Sequence, residues 1–212
     1  MTKTLATLAA VTILAATASS ALADTNIGFI QSLEGGKDYA KVSAPYPLPG
    51  GINGFSFLEL YENHGGFFGK TVLDRPVAGG VGPRVRGIHA NEPLSSLGIG
   101  VSTQVPLLPD NISATVAYLP VWFNEDGVLE DVSLAEYLIT AELPWGINLK
   151  SFGDWKLGVE DAPQWGYGEI IVSIDFEPFT LSYAPALRND GDAIPTIEHR
   201  VGISMLLPKF GD

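Results

Sequence analysis

The sequence predicts an all-β fold, an antiparallel up-and-down barrel of about ten strands that crosses a membrane. Three observations lead to this prediction. The first residues have the pattern of an export signal. Segments of about ten residues follow, in which apolar side chains alternate with polar ones, as in a strand with two unlike faces. The connections between these segments alternate between short turns and longer, acidic loops.

Residues 1–23 have the features of a cleaved signal peptide. Lys3 supplies a positive charge, residues 5–16 are almost entirely apolar, and Ala21-Leu22-Ala23 is a small-residue cleavage site before Asp24. A membrane anchor is the alternative, but the apolar stretch is too short to span a bilayer comfortably as a helix. We therefore expect an exported mature chain that starts at Asp24.

Residues 24–51 have two possible interpretations. Residues 27–33 and 39–44 could form a hairpin, which would raise the strand count to twelve, or the whole segment could precede the barrel as an N-terminal extension. Three prolines and two glycines in residues 45–51 predict a turn or linker at its end. Both alternatives remain open from the sequence.

Residues 52–212 are predicted to form the barrel. In residues 97–105, for example, Leu97, Ile99 and Val101 share one face, while small and polar residues share the other. The same reading gives ten strands, at about 52–62, 66–76, 81–90, 95–105, 112–122, 133–144, 148–160, 167–176, 179–188 and 196–207.

The charged face of these strands is expected to line the lumen. Ten to twelve strands leave at most a narrow passage, so ion pairs that fill a polar interior are favoured over a selectivity filter. The predicted lumen-lining residues are Lys70, Asp74, Arg84, Arg86, Glu136, Glu142, Lys150, Asp154, Lys156, Glu169, Asp175 and Arg200, with Glu59, Glu160, Arg188 and Glu198 on the same face.

Charge and composition exclude several classes of function. The chain has 24 acidic and 12 basic residues, which argues against nucleic acid as a partner. It has no cysteine, which excludes disulfides and thiolate metal sites. Much of the acidic charge falls in the longer connections, and this predicts an acidic rim that could attract a small solute or a cation.

The alternation, the two kinds of connection and the aromatic residues near strand ends resemble small bacterial outer-membrane β-barrel proteins as a class, over residues 52–212. Trp122, Phe123, Trp165 and Tyr167 would form a belt on the loop side, and Trp145, Phe176 and Phe179 one on the turn side. The resemblance implies a bacterial outer-membrane location, contact with outer-membrane lipid and insertion by the barrel-assembly machinery. It further implies a narrow channel or a structural barrel.

Two other functions remain as alternatives. A rim hydrolase could use His64, His89 and His199 with Glu62 or Glu198, but no nucleophile motif is present, so we expect no enzyme. A periplasmic or secreted β-barrel or sandwich would place its apolar face inside and bind an apolar ligand.

No metal site or cofactor is expected. Residues 124–131 and 189–192 offer oxygen ligands for Ca²⁺ or Mg²⁺, but neither segment has the spacing of a calcium-binding loop, and turn chemistry already explains their Asp-Gly and Asn residues.

Overall fold

The computed structural model describes residues 25–34, 36, 38–61, 66–91, 95–124, 126–158, 163–189 and 195–207. Within these ranges the chain forms thirteen β-strands and one short 3-10 turn, Pro144–Gly146. The strands are β1 (Asn26–Ser32), β2 (Tyr39–Leu48), β3 (Ile52–Tyr61), β4 (Phe67–Asp74), β5 (Gly82–Ala90), β6 (Ser96–Gln104), β7 (Ile112–Phe123), β8 (Leu129–Glu130), β9 (Ser133–Leu143), β10 (Ile147–Leu157), β11 (Gln164–Phe176), β12 (Phe179–Arg188) and β13 (Thr196–Leu206). Among the described residues, no helix has the length and apolar character needed to cross a membrane.

Twelve of these strands form a closed antiparallel ring. Each pairs with its neighbours in the chain, and β1 pairs with β13 from Asn26 opposite Leu206 to Ser32 opposite Arg200. The remaining strand, β8, pairs only with the end of β7 and extends the connection between β7 and β9. The predicted antiparallel barrel is confirmed, and twelve rather than ten is the strand count.

The two additional strands come from the N-terminal hairpin that the sequence left open. Pro45 and Pro47, which we expected in a turn or linker, lie inside β2 opposite Phe55 and Asn53 of β3. β1 begins at Asn26, opposite Ser43, so among the described residues the remainder of β2 pairs with β3 alone. Proline has no N–H to donate, and a strand that is paired on one side only can accept it.

The connections lie at two different ends of the barrel. We call one the turn end, because its links include the three-residue turns at residues 49–51 and 144–146 and the two-residue turn at 177–178. We call the other the loop end; its links run from five residues to the nine between β7 and β9, counting β8. The start of β1 and the end of β13 meet at the turn end, where Asn26 pairs with Leu206.

A bulge in β7 changes the direction of one important side chain. Ile99 of β6 pairs with Val121, but Val101 pairs with Tyr118, so β7 has an extra residue in this stretch. Pro120 occupies the bulge, where its missing N–H does not interrupt a regular ladder. As a result Leu119 and Trp122 face the same side, although strict alternation would put positions three apart on opposite faces.

Ion pairs between distant strands identify the interior face. Lys70 of β4 contacts Glu136 of β9 at 3.1 Å, and Arg86 of β5 contacts Asp154 of β10 at 2.9 Å. In each pair the strands are four steps apart around the ring. Because neighbouring strands lie about 4.8 Å apart, the wall separates them by roughly 19 Å, and the side chains meet only by crossing the interior. The charged face is therefore inside.

The outer face is apolar and exposed. Its described residues include Ile99, Val101, Val116, Ile139, Ile170, Val172, Ile174, Leu181, Val201 and Ile203, each more than a third exposed. A water-soluble protein rarely exposes an apolar surface of this extent, whereas a barrel wall in lipid requires one. A soluble calyx would have the opposite arrangement, with its apolar face inside.

Aromatic residues cover the outer wall near the loop end, but they are only partly those expected. Trp155 packs against Trp165 with ring centroids 4.9 Å apart and against Tyr137 at 5.4 Å. Trp165 lies across Gly153 and Gly168, where a Cβ atom would collide with its ring. Trp122 and Tyr167, which we expected in this belt, point into the barrel; the bulge explains Trp122, and Tyr167 lies on the inner face with Glu169.

Candidate functional site in the barrel interior

A first group of charged side chains joins two walls of the barrel; we call it the Glu136 cluster. Glu136 accepts hydrogen bonds from Lys70 Nζ at 3.1 Å, Arg84 Nε at 3.0 Å and Arg86 Nη1 at 2.6 Å. Arg84 also donates to Asp74 at 2.7 Å, and Arg86 to Asp154 at 2.9 Å. One carboxylate on β9 thus holds three cations from β4 and β5, and these six residues form the cluster.

An apolar group fills the space beside the Glu136 cluster. Leu119 is fully buried against Leu134 and Ala117, and Trp122 packs on them. Arg86 lies 5.5 Å from the centre of the Trp122 ring, in a cation–π contact. β6 has small residues at the facing inner positions, and a Cβ atom at Gly98 would come within 2.6 Å of that ring. This sector of the interior is therefore packed.

A second group lies toward the loop end; we call it the Arg200 cluster. Arg200 donates to Glu198 at 2.7 Å, to Tyr167 Oη at 3.1 Å and to Tyr39 Oη at 3.3 Å, and lies 3.8 Å from Glu169. Arg188 contacts Glu198 at 3.1 Å. These six residues connect β2, β11, β12 and β13 through the interior.

An ion pair between β2 and β3 lies next to this cluster. Lys41 contacts Glu59 at 3.1 Å, and Tyr61 donates to the same carboxylate at 3.0 Å. The predicted interior residues do not include Lys41 and Tyr39, because the sequence left open whether residues 39–44 form a strand. The register of β2 with β3, which sets Lys41 opposite Glu59, is the signal that would have found Lys41.

Lys150 has a different environment from the paired cations. Its Nζ lies 5.2 Å from the centre of the Phe55 ring and 5.8 Å from that of Phe152. Phe55 belongs to β3, which is six strands from β10 and so diametrically opposite in a ring of twelve. Among the described residues, no carboxylate lies within 4 Å of its ammonium group.

Small side chains line another sector of the wall. Gly28 of β1 pairs with Ser204, and Ser182 of β12 pairs with Gly202. These four positions face the interior, since they alternate with the exposed apolar residues of the same strands. The space that the clusters leave inside the barrel therefore lies against β1, β12 and β13.

Positive and negative charge balance on the inner face. The described strands have eight basic and eight acidic residues at inner positions: Lys41, Lys70, Arg84, Arg86, Lys150, Lys156, Arg188 and Arg200, with Glu59, Asp74, Glu136, Glu142, Asp154, Glu169, Asp175 and Glu198. Lys156 lies near the loop end of β10, and Glu142 and Asp175 lie near the turn end. Asp175 accepts hydrogen bonds from Asn148 at 2.8 Å and Thr180 at 2.5 Å. Glu160 lies outside the described residues.

The two described histidines, His89 and His199, face outward and do not come together in the alternative rim site. His199 lies on the outer face, where its Nδ1 is 2.6 Å from Tyr183 Oη and its Nε2 is 3.8 Å from Glu34. Glu198, the acid proposed to orient it, points inward to Arg200, because neighbouring residues of a strand face opposite sides. His89 alternates with Arg86 and also faces outward. His64 and Glu62 lie outside the described residues.

The two segments considered for cation binding have other contacts. Asn124 Oδ1 accepts the backbone N–H groups of Asp126 and Val128, at 3.1 and 3.0 Å, which closes a local turn. Asn189 donates to the Trp165 carbonyl at 2.9 Å. Across the described parts of the chain, no three His, Asp or Glu side chains come together as a metal site. Residues 125 and 190–194 are not described.

Comparison with solved structures identifies the fold. A KdgM porin structure aligns with a TM-score of 0.55 at 8% sequence identity, covering 87% of this chain and 99% of that one. The fold is that of an outer-membrane porin. A NanC porin aligns with a TM-score of 0.58 at 8% identity, covering 86% of this chain and 100% of the other. KdgM in complex with disordered oligogalacturonate gives 0.55 at 9% identity, with 87% and 99% covered. No protein-family model and no curated protein sequence matches the chain. At these identities the porins establish the architecture alone.

Proposed function

We propose that this protein is a narrow channel of the bacterial outer membrane that passes small solutes by diffusion. The observation that carries the proposal is the set of ion pairs that cross the interior of a closed twelve-strand barrel with an apolar exterior. An apolar outer wall suits contact with outer-membrane lipid, and a polar interior suits water and solutes. Insertion would depend on the barrel-assembly machinery.

The passage is narrow because side chains fill much of the loop half. Arg86 and Glu136 are 7% and 6% exposed, and Arg200 is 3% exposed. Side chains next to a wide aqueous pore would be far more accessible to water. Passage is therefore confined to the sector lined by small side chains, which supports small solutes over polymers.

Charge at the loop end favours the entry of cations and of neutral or zwitterionic molecules over the entry of anions. The six connections at that end contain twelve acidic residues and one lysine in the sequence. Such a rim raises the local concentration of cations and lowers that of anions, most strongly at low ionic strength. One of the similar porins is in complex with oligogalacturonate, a polyanion that this acidic rim would repel. The rim therefore disfavours such a polyanion as the solute of this chain.

The first experiment tests location and folding together. Membrane fractions are run on a denaturing gel with and without boiling, since a closed barrel keeps its backbone hydrogen bonds in detergent until it is heated. A heat-dependent mobility shift in the outer-membrane fraction is expected. Soluble protein without the shift would contradict the membrane proposal.

The second experiment tests conduction. Purified protein with the mobility shift is reconstituted into planar bilayers, and discrete conductance steps are expected. Folded protein that never conducts would contradict the channel and leave a structural barrel as the function.

A further inference from the structure

We infer that Lys150 is an anion-binding point of the lumen, which favours chloride and small carboxylates and opposes cations inside the barrel. The inference rests on the proposed channel function and adds to it the residue that sets charge preference. Inside the lumen Lys150 would favour anions, whereas the acidic rim favours cations at the mouth of the barrel.

The first argument is that Lys150 lacks a neutralising partner. Six of the eight interior cations in the described strands have a carboxylate within 3.8 Å. Lys156 and Lys150 do not, but Lys156 is exposed near the loop end, where water solvates it. Lys150 is half-buried in the middle of β10. Its charge therefore acts on whatever passes through the lumen.

The second argument is the position of the Lys150 ammonium group inside the barrel. The Lys150 ammonium group reaches toward Phe55 on the opposite wall, so it lies within the cross-section of the barrel and not against its own strand. The ring faces of Phe55 and Phe152 hold the cation, because the faces of aromatic rings have a negative potential. They bring no full negative charge, and Glu169, the carboxylate that interacts with Lys150 at longer range, is already held by Arg200 at 3.8 Å. Lys150 is therefore left to bind an anion.

The third argument is the size of the electrostatic effect of one unit charge. Even with the dielectric constant of water, a unit charge about 6 Å from a passing ion changes the probability of finding that ion there about threefold. The ammonium group reaches toward Phe55 on the opposite wall of a narrow lumen, so ions pass close to it. One unpaired lysine is therefore enough to shift the local balance from cations toward anions, because the unpaired inner acids Glu142 and Asp175 lie at the turn end and are exposed to water.

The test is ion selectivity in planar bilayers with wild type, Lys150→Met and Lys156→Met. Recordings use concentrated KCl, because at about 1 M salt the Debye length of about 3 Å screens the exposed rim but not a half-buried charge. We expect wild type to prefer chloride over potassium and Lys150→Met to lower that permeability ratio at least about threefold. Lys156→Met removes the same charge from the same face of β10 and should leave the ratio within about 1.5-fold.

The outcomes separate the inference from the proposed function. A conducting wild type whose permeability ratio is unchanged in Lys150→Met, or changed equally in Lys156→Met, would overturn the role of Lys150 and leave the channel intact. A folded wild type without conductance would overturn the channel and this inference with it. The boiling-dependent gel shift checks that each variant is folded, and Lys150→Gln replaces the methionine variant if that one is not.

Discussion

At the scale of single residues, Glu136 is the centre of the Glu136 cluster. Its carboxylate accepts hydrogen bonds from Lys70, Arg84 and Arg86 and is only 6% exposed. A buried ion pair is weak evidence for net stability, because both partners lose hydration. Removing one partner is different, since it leaves the others buried without compensation.

We therefore expect Glu136→Gln to destabilise the barrel by about 3 kcal/mol, because three cations would then share Asp74 and Asp154. Urea unfolding in detergent, followed by tryptophan fluorescence, measures the change. Glu142→Gln is the control: it lies on the same face of β9 but is exposed, and no described cation pairs with it. That variant should stay within about 0.5 kcal/mol of wild type, and equal losses in the two variants would argue against the cluster.

Gly168 shows a steric requirement on the outer wall. Trp165 lies so close that a Cβ atom at position 168 would overlap its ring, while Trp165 Nε1 donates to the Leu187 carbonyl at 3.2 Å. Gly168→Ala should cost about 1–3 kcal/mol, as overpacking usually does.

Unfolding of Gly168→Ala in a Trp165→Ala background tests the cause of that loss. Without the ring the nearest remaining atom is the Phe152 carbonyl oxygen at 3.2 Å, so most of the cost at position 168 should disappear. Additive losses would show that the ring is not responsible.

At the scale of elements, the N-terminal hairpin decides how the barrel closes. β13 pairs with β1 and not with β3, which would be its neighbour in a ten-strand ring. Because the sequence has no cysteine, an introduced pair reports this seam without background. Ile27 and Met205 are opposite each other in the register, and facing residues have Cα atoms about 4.5–5.5 Å apart, within the reach of a disulfide.

We expect Ile27→Cys with Met205→Cys to form an intramolecular disulfide on oxidation, seen as faster migration of the boiled, non-reduced protein. Ile27→Cys with Val201→Cys is the control, because Val201 is four residues further along β13, about 13 Å away. Crosslinking of the control pair in preference to the first would show a different register.

The strands of residues 52–212 were predictable because each has a clear alternation, and observed bounds differ by at most three residues from those expected. β2 was not recognised to its full length, since Pro45 and Pro47 are normally excluded from paired strands. They are accepted here because the described part of β1 begins at Asn26 and does not lie opposite them, which depends on the lengths of two strands together. The direction of Trp122 was likewise missed, because a bulge has no reliable signal in one sequence.

At the scale of the whole molecule, the proposed channel depends on the apolar face of the strands lying outside and the charged face lying inside. The four tryptophans report it, since Trp155 and Trp165 lie on the outer wall, Trp122 lies inside and Trp145 is 88% exposed in a turn. Variants that retain one tryptophan each can be reconstituted into vesicles containing brominated lipid, which quenches fluorescence on contact.

We expect strong quenching of Trp155 and weak quenching of Trp122, because the barrel wall separates Trp122 from lipid. Stronger quenching of Trp122 than of Trp155 would contradict the assignment of the two faces, and no quenching of either would favour a soluble barrel with an apolar ligand.

The sequence alone determined that this chain forms antiparallel strands with one apolar and one charged face, because side-chain alternation is a local property that each segment carries. It also determined that acidic residues concentrate in one set of connections. Only the tertiary structure decided which face is inside, because that depends on contacts such as Lys70 with Glu136 between residues far apart in the chain. Ring closure likewise decided that Lys150 faces Phe55 without a carboxylate, since no local pattern records what stands on the opposite wall.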